Sequence, residues 1–122
     1  MDRQGLVRTH ALGRAALGAA LVCAPGRLGR PWLGPLGDRS GTKVAVAALG
    51  ARDVAIGLGT SWAAGAGTGA RPWLLAGVLA DMVDLVATVR ARDTLPALGV
   101  FGVGTLAAGS AALGGWLALG AD

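Results

Sequence analysis

From Thr94 to Ala121 the chain carries no charged side chain. Crossing the hydrocarbon of a bilayer as a helix takes roughly 20 apolar residues, so a charge-free run of this length reads as a membrane span before it reads as anything else. Three earlier segments have similar lengths, and the candidate helices run from about Gln4 to Ala24, Val44 to Gly67, Pro72 to Val89 and Pro96 to Gly120. Each is close to the length a crossing needs at 1.5 Å per residue. The expected architecture is all-α, an integral membrane four-helix bundle with short connections, built as one domain over residues 1–122.

Composition supports that reading. The 22 glycines are a burden for a water-soluble chain, because each loses the most backbone entropy on folding. In a membrane helix the same residues allow close backbone approach. Proline marks the breaks: Pro25 with Gly26 closes the first helix, Pro31 and Pro35 keep residues 25–43 as a long loop, and Pro72 and Pro96 open the third and fourth. No segment alternates in a way that suits a strand. A cleaved leader is the competing reading of the first segment. Arg14 splits its apolar core and Val22 is not the small residue expected before a lipoprotein cysteine, so the segment is expected to remain as a helix.

The net charge of +4 comes from eleven basic residues scattered along the chain without interleaved aromatics, a pattern that does not suit nucleic acid. It suits lipid. Arg27, Arg30, Arg39, Lys43, Arg90 and Arg92 fall in the two connections that four crossings place on one side, against Arg3, Arg8 and Arg71 on the other. The excess assigns those connections to the cytoplasm and both termini to the outside of a multi-pass cell-membrane protein. Trp32, Trp62, Trp73 and Trp116 lie near helix ends or in the basic loop, where interfacial anchoring is expected of them. Cys23 is alone, which excludes an intrachain disulfide and a Cys/Cys metal pair.

Charges inside the apolar segments mark the candidate site. Counting from each helix centre, Arg14 is level with Asp81, and Arg52 with Asp84, while Asp53 joins from the edge. Facing lipid alone, each would cost about 2.5–3.5 kcal/mol at the bilayer centre, so pairing is close to obligatory. The guanidinium fork suits a carboxylate and hardly ever deprotonates, which predicts the pairs Arg14–Asp81 and Arg52–Asp84. Spacing agrees: Gly77, Asp81, Asp84 and Thr88 share one helix face, as do His10, Arg14 and Gly18, and Gly50, Asp53, Gly57 and Thr60. His10, Thr60 and Thr88 are therefore placed at the periphery of the cluster. Two arginines against three aspartates leave one negative charge over, and protonation of one aspartate is the default expectation for it. Either the cluster only fixes helix register, or the surplus carboxylate lines a polar cavity for a small ligand, an ion or a proton.

No catalytic, phosphate-binding or metal-spaced motif is present, and one histidine cannot supply bis-histidine haem ligation. The expectation is a non-enzymatic protein without a cofactor. Small residues form two rows on the fourth helix, Gly104, Ala108 and Ala112, and Ala107, Ala111 and Gly115; with no charged duty there, one row is expected to pack inside and the other against a second copy.

The run Ala48-Leu49-Gly50-Ala51-Arg52-Asp53-Val54-Ala55-Ile56-Gly57-Leu58-Gly59, followed by Arg71-Pro72-Trp73 and Asp81-Met82-Val83-Asp84, resembles a family of small four-helix membrane proteins of unknown function from GC-rich bacteria. These are similar in size and layout to the DoxX-like proteins, and the resemblance covers about Gly13 to Leu119. It implies a four-helix integral membrane protein and, through the DoxX-like link, an association with membrane redox systems. Three functional expectations follow: an accessory or small-ligand-binding bundle in the bilayer, as a homo-oligomer or within a larger membrane complex; an accessory redox subunit; and a proton-coupled transporter acting as an oligomer.

Overall fold

The computed structural model describes Met1 to Ala121, and over those residues the chain is helical with no strand. Five α-helices and one 3-10 turn follow in order: α1 (Arg3–Cys23), α2 (Pro25–Leu33), the turn (Gly34–Asp38), α3 (Ser40–Ala66), α4 (Arg71–Arg90) and α5 (Ala97–Ala118). The four long helices coincide with the four apolar segments, α3 beginning at Ser40 instead of Val44.

The stretch expected as a long loop is a correction. Its first part folds as α2, so the helix count among the described residues is five. Pro25 occupies the first turn, where its missing N–H has no intrahelical partner to lose and its φ is already helical. Pro31 removes one hydrogen bond only two residues before the helix ends, and Gly34 stops it at φ 63°. The proline signal was real, but at these positions proline shapes a short helix instead of preventing one.

Local chemistry defines the other ends. The Asp2 carboxylate accepts the Gly5 N–H at 2.7 Å and caps α1. Gly67, at φ 64°, turns the chain out of α3, and the Thr68 N–H reaches back to the Ala63 carbonyl at 3.2 Å. That left-handed position suits glycine because a Cβ there is strained.

The long helices pack as a chain of neighbours. α1 lies on α3 with backbone against backbone: a Cβ added at Gly18 would sit 2.5 Å from the Gly50 carbonyl oxygen, and one at Gly57 would sit 2.5 Å from that of Ala11. Gly50, Asp53, Gly57 and Thr60 form the buried stripe of α3, so the small residues that set this close approach also carry a carboxylate into it. α3 meets α4 where the Trp73 ring lies against Gly59, and α4 packs along α5. α1 and α5 barely touch. α2 crosses the end of the bundle against α1, α3 and α5, with Gly99 of α5 against the Trp32 carbonyl.

Three levels result. At the end that holds the termini, Val7, Ala63, Ala70, Leu74, Leu117 and Ala118 form an apolar core, tied together by Arg3, which donates to the Trp116 carbonyl at 2.7 Å and stacks over the Trp116 ring at 4.6 Å. The charged residues occupy the middle, and α2 closes the far end. Most large apolar side chains point outward, including Leu79 at 67% and Phe101 at 75% exposure. α3, α4 and α5 are each long and apolar enough to cross a membrane; α1, with Arg3, Arg8 and Arg14, is not among them.

Candidate functional site

Arg14 reaches from α1 into the middle of the bundle, its guanidinium lying beside Gly77 of α4. Nη1 donates to Asp53 Oδ1 at 3.0 Å, and Nη2 donates to Asp81 Oδ2 and, at 3.0 Å, to the Ser110 hydroxyl. One cation thus links α1 to α3, α4 and α5. Arg52 extends from α3 to Asp84 of α4 as a two-pronged pair, Nη1 to Oδ1 at 3.1 Å and Nη2 to Oδ2 at 2.7 Å. It also donates from Nε and Nη2 to Asp53 Oδ1, both at 3.2 Å.

The structure brings Arg14, Arg52, Asp53, Asp81 and Asp84 into one connected network, with Arg14 on Asp81 and Arg52 on Asp84. Asp53 departs from its expected place. It is central, a single oxygen accepting from both arginines, because its helix face is the glycine stripe that packs on α1. Arg14, Asp53 and Asp81 are buried, with side-chain exposures of 7%, 10% and 9%, whereas Arg52 and Asp84 retain 27% and 19%.

The three peripheral residues fare differently. His10 faces the same interior, its Nε2 near Gly114 of α5, but makes no hydrogen bond to the network. Thr60 is buried and donates back to the Ile56 carbonyl at 2.7 Å, which removes it from the cluster. Thr88 is buried and accepts the indole N–H of Trp32 at 3.2 Å. Trp32 is accordingly not an outward anchor but an inward wedge joining α2 to α4. Trp32→Phe is expected to keep the fold and lower its stability by about 1 kcal/mol, the usual worth of one buried hydrogen bond, read as a drop of a few degrees in a detergent melt.

Ser110 was missing from the sequence reading. A hydroxyl in an uncharged helix, one of two there with Thr105, carries little signal, although Ser110 shares the buried face of Ala107, Ala111 and Gly114. That face also decides between the two small-residue rows: Ala107 and Ala111 are buried, while Ala108 and Ala112 are exposed.

Because α1 and α5 stay apart, a cleft of about 830 Å³ opens between them. Gly13, Leu17 and Leu21 form one wall, and Leu106, Gly109 and Leu113 the other. Leu28 and Trp32 of α2 close the far end, and the floor is the network, with Arg14, Arg52 and all three aspartates lining it. Gly13 and Gly109 have nothing within 4 Å of an added Cβ, so neither is needed for helix contact; each widens the cleft. The volume falls within the roughly 300–1,000 Å³ typical of small-molecule sites, and the mix of apolar walls with a few convergent polar groups is also theirs. The carboxylates do not converge as metal ligands, since no group of three or more candidate ligands gathers among the described residues.

No known protein family, curated protein or solved structure matches the chain. Fold and site by themselves define an all-helical protein with three helices able to cross a membrane and an ionic network at the floor of an apolar cleft.

Proposed function

We propose that the chain is an integral membrane protein whose four long helices cross the bilayer and whose cleft between α1 and α5 binds a small, largely apolar molecule. The observation that carries the reading is the cleft itself: an apolar space of about 830 Å³ that ends on a buried ionic network. The outer surface supports the membrane setting, because most of the large apolar side chains, Leu58, Leu79 and Phe101 among them, are exposed on it. α1 joins the spanning set through its partners: the network neutralises Arg14, the most central of the three charges on α1. Binding needs no reaction, and no residue of the cleft is arranged as a nucleophile with its base.

The test uses the tryptophan in the cleft wall. A dibrominated dodecanol added to the protein in a mild detergent is expected to quench Trp32 emission saturably, above the linear quenching that micelle partition produces. Trp32→Phe should remove the saturable part. Gly109→Phe should abolish it while leaving the helix content and melt unchanged, since the added ring enters open space. Linear quenching alone, or saturation that survives Gly109→Phe, would reject the cleft as a binding site.

Orientation follows from charge. Arg27, Arg30, Arg39 and Lys43, around α2 and the start of α3, and Arg90 and Arg92, at and just past the end of α4, lie at the α2 end of the bundle. We assign that end to the cytoplasmic face, with the termini outside. In a Cys23→Ser background, a cysteine introduced at Ala121 should react with a membrane-impermeant maleimide on intact cells, and protection until lysis would reverse the assignment.

A further inference from the structure

The network is not electrically balanced, and its two free acceptors are in the cleft. Arg14 and Arg52 meet Asp53, Asp81 and Asp84, leaving one net negative charge if all are ionised. Asp84 uses both carboxylate oxygens on Arg52. Asp53 and Asp81 each use only one: the guanidinium donors all fall on Asp53 Oδ1 and Asp81 Oδ2, and no described donor reaches Asp53 Oδ2 or Asp81 Oδ1. Both residues are more than nine-tenths buried, at 7% exposure each, and both line the cleft floor. Neither free oxygen belongs to a sealed, orphaned group, because among the described residues no buried side-chain polar atom lacks a partner. They face the cleft. Ser110 accepts from Arg14, so its own hydroxyl proton is available on the same floor.

We infer that the cleft takes a single-chain amphiphile with a cationic, hydrogen-bond-donating head, such as a long-chain primary amine, seated with its ammonium group on Asp81 and Asp53 and its chain between α1 and α5. This rests on the proposed binding role of the cleft and names the class of ligand. An ammonium group supplies the missing positive charge and up to three donors where the floor offers two unpaired carboxylate oxygens. A carboxylate head would add a second uncompensated negative charge to the same low-dielectric floor, which is strongly unfavourable. A bare ion or a water molecule would satisfy the charge or the acceptors but leave the leucine-lined volume above them without an occupant. The cleft opens along α1 and α5 at residues such as Leu17, Leu106 and Leu113, which are exposed on the lateral surface, so a chain can slide in from the side.

The experiment compares head groups on one chain. Dodecylamine, dodecanol and dodecanoate compete for the Trp32-dependent quenching of the dibrominated dodecanol at neutral pH. The amine is expected to displace the probe at concentrations at least tenfold lower than the alcohol, and dodecanoate to compete worse than either. Asp81→Asn keeps an acceptor for Arg14 and removes the surplus charge, so it should bring the amine down to the level of the alcohol. The ranking on the unmodified protein stands independently of how well that variant folds. Equal competition by amine and alcohol would mean that the surplus is held as a protonated aspartate, overturning the inference while leaving the cleft reading intact. Preference for dodecanoate would overturn it likewise. Absence of any saturable quenching would remove both.

Discussion

Arg14→Leu is expected to be the most damaging single substitution in the protein. It leaves Asp81 with no cation and Asp53 with Arg52 alone, and both aspartates are almost wholly buried. Breaking a buried pair by deleting one partner usually costs about 3–5 kcal/mol, chiefly because the remaining charge is stranded. Here Asp81 loses its cation, Asp53 loses one of two, and the tie of α1 to three other helices goes with them, so the detergent-solubilised protein should lose its cooperative melt or its monodisperse elution. Arg52→Leu should do less, because Arg52 and Asp84 keep partial access to their surroundings. Arg14→Leu combined with Asp81→Leu restores the original net charge and should recover part of the loss, a coupling of 1 kcal/mol or more in a double-mutant cycle. A melt of Arg14→Leu within about 0.5 kcal/mol of the parent would show that the network contributes little.

Gly57→Val should come close to it by a different route. A Cβ at Gly57 would already lie 2.5 Å from the Ala11 carbonyl oxygen and 2.7 Å from the Ala15 nitrogen, both backbone atoms that cannot rotate away. α1 must then lift off α3, and Arg14 is lifted with it, next in sequence to the residue that is struck. Overpacking typically costs about 1–3 kcal/mol, and loss of the Arg14–Asp53 contact adds to that. Gly13→Ala is the control on the facing helix: it lies on α1, against which Gly57 of α3 packs, but its Cβ meets nothing within 4 Å. It should be neutral or slightly stabilising, since alanine is the better helix former. Equal melts for the two variants would show that α1 and α3 are not held at backbone contact.

Much of this site is legible in the chain, and the reason is geometric. Antiparallel helices of similar length put residues at matching offsets from their centres at the same depth, so a count along α1, α3 and α4 sets Arg14 beside Asp81 and Arg52 beside Asp84 without knowledge of the fold. Azimuth is harder. Periodicity shows that Asp53 shares a stripe with Gly50 and Gly57, but not that this stripe meets α1, and so its central place was hidden. Ser110 was hidden because an uncharged hydroxyl creates no debt of solvation large enough to demand a partner. A polar cavity was one of two readings of the cluster, but its place between α1 and α5 and its apolar walls could not be read. It exists because α1 keeps to α3 while α5 keeps to α4, and the gap between two helices is a property of their neighbours. α2 was concealed by its prolines, which mark a helix start and a near-end as readily as a loop.

Arg14 has three partners on three later helices, and all of them are made after it. α1 is the one long helix that is not apolar enough to qualify as a span, so in the proposed setting it has no reason to leave the membrane surface when it first emerges during synthesis. Its guanidinium becomes admissible only once α3 has delivered Asp53 and α4 has delivered Asp81. In that setting α1 settles only after the later helices that hold its partners, although it is translated before them.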